Sequence, residues 1–338
     1  MKKIFSKIDD GNHIIYNFCG IKIKFLKFIQ TQTTNIFCKR NLIPDILIQL
    51  NGLYGFKPAK FCNIEILKWL LYYKEVLEYH ILKKIYIPQI EFTLTTRCTL
   101  KCKNCTNYIP TLNTSEQKLL SINDFKNQLD NLCKSVHKIR NLLLIGGEPL
   151  IVKNLNEYLE YAAANKKVDN VWIVTNGTML LTPELIKSIK KYSKKVMIWI
   201  SNYSKNPELD HILKQKELFE QINNANISYY FDEHLTWWPT SPYPTKKFRN
   251  NDFNYFLSCN NPCVAVFCGK IFICPRAGVF AIKNLYKQKK NETFDLNYKI
   301  SKRDLIDFYS KDYFEACDYC SILEDFSQPP VPPAEQIK

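Results

Sequence analysis

Residues 87–105 read IPQIEFTLTTRCTLKCKNC, an apolar strand-like run that ends in a cluster of thiols. The run IPQIEFTLTT is too continuously apolar for a strand with one wet face and suits a parallel sheet covered on both sides. Cys98, Cys102 and Cys105 then follow within eight positions. Three thiols so close together call for a zinc knuckle, half of a disulfide framework, or an iron–sulfur site short of one ligand.

Outward from this stretch the same alternation continues. SINDFKNQLDNLCKSV (121–136) has a helical period and Ser121 as a cap, and RNLLLIGGEP (140–149) reads as a strand. A helix (NLNEYLEYAAAN, 154–165) and a strand (VDNVWIVTNGT, 168–178) come next. TPELIKSIKKY (182–192) is a helix with Thr182 as cap and Pro183 at its first position. KVMIWISNY (195–203), PELDHILKQKELFEQINNA (207–225) and NISYYFDEH (226–234) add strand, helix and strand. Buried strands alternating with helices predict a parallel sheet, hence an α/β fold with a partial (β/α)6 TIM-like barrel. Chemistry in such folds gathers where strands end. Here those ends carry the cysteine loop, GGEP, TNGT, SNY and FDEH.

The barrel is expected over 88–248, after an N-terminal extension of strands plus a helix over 1–87. Within the extension NHIIYNFCGIKIKFLKF suggests a hairpin, and 62–86 a helix. An aromatic, proline-rich connector leads to a cysteine-rich unit at 255–325. The Pro-rich tail 326–338 is expected to be disordered.

Thirteen cysteines among 338 residues are many, but they cluster: three in the opening loop and six between 259 and 320. MKKIFSKIDDGNH meets Asp9 and Asp10 before any apolar core of a signal peptide develops. The greasiest stretch, near 64–87, is interrupted by Lys68, Lys74, Glu75 and Glu78 and cannot span a bilayer. A cytoplasmic, reducing setting is expected, favouring thiolate–metal chemistry over disulfides. The net charge of +15 is spread over many segments, which fits an anionic small substrate better than nucleic acid.

A zinc knuckle needs four ligands, yet C-x3-C-x2-C supplies three and no histidine lies nearby. Cys133 falls on the apolar face of the next helix with Phe125, Leu129 and Leu132, and reads as core. Three thiolates on a loop leaving a strand can hold three corners of a 4Fe–4S cube, leaving the fourth iron open to an exogenous ligand.

On these residues the chain resembles the radical S-adenosylmethionine (SAM) superfamily, whose signature is C-x3-C-x2-C after a first strand. Gly146, Gly147, Glu148 and Pro149 resemble its motif for the SAM amino group. Asn176, with Gly177, and Ser201 with Asn202 stand where family members contact the cofactor. The aromatic expected before the third cysteine is replaced by Asn104, and Tyr108 is the candidate to cover the adenine. The resemblance implies a SAM-binding 4Fe–4S cluster, reductive cleavage of SAM to methionine and a 5′-deoxyadenosyl radical, and hydrogen abstraction from a substrate. It also implies a reductant such as flavodoxin or ferredoxin.

In SCNNPCVAVFCGKIFICP (258–275), Cys268-Gly269 reads as a two-residue hairpin turn pairing 267 with 270, 266 with 271, and so down to 263 with 274. Cys263 and Cys274 would then face each other, and Cys317-x2-Cys320 lies further on. The arrangement resembles the twitch form of the SPASM extension, with Cys259, Gly269 and Cys274 matching its opening. The resemblance implies one auxiliary 4Fe–4S cluster on Cys274, Cys317, Cys320 and either Cys259 or Cys263, which carries away an electron or binds substrate. A structural zinc at the same thiols is the alternative.

Twitch and SPASM enzymes oxidise carbohydrate alcohols or modify peptides. The N-terminal GIKIKF strand looks like a recurrent stretch of bacterial surface-polysaccharide biosynthesis proteins. The expected substrate is a sugar, nucleotide-sugar or glycan precursor, with a phosphate suiting the basic charge. The rivals are a peptide maturase and a zinc-stabilised basic binding protein without catalysis. Glu233 and His234, ending the fifth strand of the barrel, are candidates to remove an alcohol proton. Arg276 is a candidate phosphate or hydroxyl contact.

Overall fold

The computed structural model describes residues 5–9, 13–18, 21–26, 74, 77–79 and 81–337. Within the last span residues 233–235, 238, 251, 253–254, 257–258, 260–263, 290, 310, 312 and 322–328 are not among those described. Most of the helix expected over 62–86 therefore lies outside the described residues. Strands β1 (Phe5–Asp9), β2 (His13–Phe18) and β3 (Ile21–Leu26) form an antiparallel meander, with Phe18 opposite Ile21 as a two-residue turn requires.

The barrel alternates as its sequence predicts. Strands β4 (Tyr86–Thr95), β5 (Lys138–Gly146), β6 (Val168–Thr175), β7 (Val196–Ile200) and β8 (Tyr229–Phe231) are separated by α1 (Ile122–Ser135), α2 (Leu155–Ala164), α3 (Pro183–Lys191) and α4 (Gln215–Ala225). All five strands are parallel and pair in chain order. Ser121 caps α1 by accepting from the Asp124 N–H, and Thr182 caps α3 through the Leu185 N–H. Cys133 is buried on the inner face of α1 beside Phe125, Leu129 and Leu132.

Side chains alternate along each strand and so build two cores. Ile90, Phe92, Leu142, Leu144, Val171, Ile173 and Ile198 pack outward against Leu129, Leu159, Ile189 and Ile222 of the helices. Leu143, Trp172 and Met197 pack on the other face, together with Val174, Trp199 and Tyr230.

The sixth parallel strand comes from the cysteine-rich unit. Strand β9 (Val264–Phe267) lies parallel to β4 on the side away from β5, with β10 (Lys270–Phe272) and β11 (Phe294–Asp295) antiparallel beyond it. The order across the sheet is β11-β10-β9-β4-β5-β6-β7-β8. Helices α5 (Pro275–Ile282) and α6 (Lys302–Tyr309) complete this unit.

The tail departs from expectation. Within 329–337, Val331 exchanges both backbone bonds with Trp237, and Gln336 pairs antiparallel with Cys102. Ala334 is fully buried against Leu100, Cys102, Tyr203 and Leu209. The apolar cluster that Ala334 completes and the backbone bonds of Val331 and Glu335 work against the entropy of ordering the segment. Among the described residues no helix is long and apolar enough to cross a membrane.

Candidate active site

Strand β4 delivers the cysteine loop to the end of the sheet, where β5 receives it. Gly147 N–H donates to the Thr95 carbonyl and Glu148 N–H to the Arg97 carbonyl, both within 2.9 Å. A Cβ on Gly146 would stand 2.3 Å from the Thr95 oxygen, and one on Gly147 2.2 Å from the Arg97 oxygen. Only residues without a Cβ let the two backbones meet so closely.

Glu148 is fully buried and ties β5 to β6. Its carboxylate accepts from the Leu150 N–H, the Thr175 hydroxyl and the Asn176 N–H at 2.8–3.0 Å. Burial nevertheless dominates these three bonds and lifts its pKa to about 7.

The amide of Asn176 then reaches the loop itself. Its Nδ2 donates to Thr99 Oγ1 at 3.0 Å and lies 3.6 Å from Cys98 Sγ, while its Oδ1 accepts from Thr178. Gly177 turns at φ +76, a conformation that favours glycine. Ser201 follows β7, its N–H donating to the Thr175 carbonyl. Asn202 Oδ1 accepts from the N–H and hydroxyl of Ser204.

The three sulfurs lie in a mostly buried setting supplied with N–H donors. Burial lifts the Cys98 thiol to about 11 and the Cys102 thiol to about 12, and raises that of Cys105. Cys98 Sγ accepts from Leu100 N–H, and Cys102 Sγ lies 3.6 Å from Gln336 Nε2. The backbone N–H groups of Ile109, Asn107 and Tyr108 serve Cys105. Soft sulfur ligands, each met by N–H donors in a mostly buried setting, suit an iron–sulfur cluster, whose charge such donors stabilise.

Asn104 and Tyr108 are engaged with the connector. Asn104 Oδ1 accepts from the N–H groups of both Thr240 and Ser241 at 3.0 Å. Tyr108 donates its hydroxyl to the Thr240 carbonyl and packs its ring against Tyr243 and Phe280. A second aromatic, Tyr203 of the SNY segment after β7, shares one apolar cluster with Cys102, Cys98 and Cys105. Tyr203 is buried, its ionisation suppressed by burial and then by the nearby Cys102, Cys105 and Cys98, and it is edge-on to Trp237. Gln336 was hidden in the sequence, because its meeting with Cys102 depends on how the tail folds.

The second thiol set surrounds a cavity lined by Cys259, Cys274, Cys317 and Cys320, with Tyr255, Arg276 and Phe280 among its other walls. The hairpin register is as expected, with 267 opposite 270, 266 opposite 271 and 265 opposite 272. Cys268 and Gly269 both have positive φ, as that tight turn demands, and Cys268 is exposed. Cys274 immediately precedes α5. The 317–320 turn is braced by Arg249, whose Nη1 donates to the carbonyls of Cys317 and Cys320, and by the Tyr255 hydroxyl. Four soft thiols around one cavity also suit a cluster. Cys263, Glu233 and His234 lie outside the described residues. Among the described residues no three His, Cys, Asp or Glu side chains converge on a single-ion position.

Residues 92–225 match the Radical SAM superfamily. Over 133 residues the chain is 35% identical to the antilisterial bacteriocin subtilosin biosynthesis protein AlbA of Bacillus subtilis, covering 38% of this chain and 28% of that protein. Over 105 residues it is 30% identical to the GTP 3′,8-cyclase of Desulforamulus reducens, covering 31% of each. The matched stretches span less than half the length of these curated relatives. A solved structure of BtrN in complex with AdoMet and 2-DOIA aligns at a TM-score of 0.41 and 14% identity, over 75% of this chain and 98% of that one. The end of the strand, its three-cysteine loop and the glycine-rich end of its neighbour fall within 92–225, the span that matches the radical SAM superfamily.

Proposed function

We propose that this chain is a radical SAM enzyme with two 4Fe–4S clusters, one on Cys98, Cys102 and Cys105 and one on Cys259, Cys274, Cys317 and Cys320. The observation that carries the reading is the cysteine loop at the end of β4, locked by backbone bonds to the Gly146–Gly147 end of β5 and by Asn176 to β6. A cubane does not require its ligands to converge, because each thiolate takes its own iron. Cys98, Cys102 and Cys105 would hold the first cluster, which when bound would supply the electron for reductive cleavage of SAM and so the means of removing hydrogen from a substrate.

The chain's own residues hold and shield. Glu148 and Asn176 fix the ends of β5 and β6 beneath the loop, while Gln336 and Asn176 present N–H groups to its sulfurs. The tail covers the loop's outer side and limits water there. Glu233 or His234 takes the alcohol proton when the substrate is oxidised.

The substrate in this reading is a sugar or glycan precursor. Trp199 and Tyr230, half-buried on the inner face of β7 and β8 with ring centroids 5.2 Å apart, offer apolar ring surface for a sugar to pack against, above the buried Trp172. A second reading, modification of a peptide, is favoured by the similarity to the subtilosin biosynthesis protein.

Anaerobic reconstitution should yield about eight irons per chain, from two cubanes, and 5′-deoxyadenosine under reductant. The Cys98/Cys102/Cys105→Ala variant should keep about four irons, those of one cubane, and make none. Zinc alone, with no deoxyadenosine, would instead identify a zinc-stabilised binding protein. Deuterium carried into deoxyadenosine from a labelled nucleotide sugar supports the first substrate reading, and from a labelled peptide the second.

A further inference from the structure

Between the two cysteine sites lies a buried cation. Arg276, two residues after Cys274, is only 6% exposed and forms part of the wall around Cys259, Cys274, Cys317 and Cys320. Its Nε donates to the Thr106 carbonyl at 2.8 Å, next to Cys105. Its Nη1 donates to Cys320 Sγ at 3.5 Å. Among the described residues these contacts are a carbonyl and a sulfur, with no carboxylate to balance the charge. A guanidinium buried in this way is costly unless negative charge lies close by. A guanidinium keeps its charge in proteins, so the cation stays in place beside these sulfurs.

We infer that Arg276 is a positioning residue that sets the reduction potential of the cluster held by Cys259, Cys274, Cys317 and Cys320, making that cluster easier to reduce. The inference rests on the two-cluster reading above. Reduction adds one negative charge to a cluster whose thiolates already make it anionic. A fixed cation hydrogen-bonded to one of those sulfurs stabilises the reduced form more than the oxidised one. The same side chain ties the helix bearing that charge to the backbone beside Cys105. Arginine is suited to the task because its fork reaches a carbonyl and a sulfur at once.

The test is an EPR-monitored redox titration of reconstituted holoenzyme and of the Cys98/Cys102/Cys105→Ala variant, each with Arg276, R276K or R276Q. R276Q should weaken electron binding at the second cluster at least tenfold, about 59 mV for a one-electron couple. R276K, which keeps the charge, should move it by less than half as much. Loss of the second cluster in R276Q, with retention at the wild-type potential in R276K, also supports the inference. An unmoved midpoint in R276Q, an equal shift in both variants, or loss of the cluster in both overturns it. Absence of iron from the triple-cysteine variant with Arg276 intact overturns the two-cluster reading instead.

Discussion

Gly147 and Asn104 illustrate what single residues disclose and withhold. The glycines of GGEP are legible as a motif. Their tightest neighbours are the Thr95 and Arg97 carbonyls, so they serve clearance between two strand ends. Gly147→Ala should displace the cysteine loop and abolish deoxyadenosine formation while about four irons of the second site remain, read by iron analysis and product assay. Asn104 had no readable role because its partners lie 136 and 137 positions later. Glu148 carries a pH signature. Its pKa is raised from 4.5 in the unfolded chain to about 7 in the folded one, so the folded state binds the proton more tightly. The stabilisation from that proton is fully present below pH 4.5 and is lost as pH rises through about 7. It amounts to about 3 kcal/mol at 1.36 kcal/mol per unit. Urea midpoints of wild type should fall across this window relative to Glu148→Gln, which cannot ionise.

At the scale of elements, local chemistry was the reliable guide. Ser121, Thr182 and Pro183 mark helix starts because caps and a preset φ act within one turn. The β9–β10 register follows from two residues that accept positive φ, because turn length alone fixes which residues face each other. The place of β9 beside β4 was not legible, since a parallel pairing between residues 90 and 264 leaves no local mark. Helix α5 was similarly obscure: PRAGVFAI carries a glycine and a valine, and it forms where Gly278 lets Phe267 of β9 approach. Gly269 joins the hairpin to the barrel, its carbonyl accepting from Leu296 N–H and its Cα facing Asn297, which accepts a bond from Gln128 of α1. Gly269→Ala places a Cβ 2.7 Å from Asn297 Nδ2 at φ +77. It should cost about 1–2 kcal/mol in urea unfolding without changing the iron content of the first site.

For the molecule as a whole, one sheet runs from the cysteine-rich unit through the barrel. The composition shifts near 248–255 and 326 were visible, but the pairing of β9 with β4 and the return of the tail were not. Both depend on encounters between distant segments. The tail is anchored by bonds from Lys103 N–H to the Glu335 carbonyl, from Ile337 N–H to the Lys101 carbonyl and from Asn206 to the Pro333 carbonyl. Deleting 329–338 should leave the chain able to load iron but speed chelator stripping of the first cluster several-fold, followed by the decay of its absorbance. Gln336 stands 234 positions after Cys102. During synthesis the thiol loop leaves the ribosome long before the segment that closes over it. Until that segment folds back, the sulfur of Cys102 lacks the side-chain N–H that meets it in the finished fold.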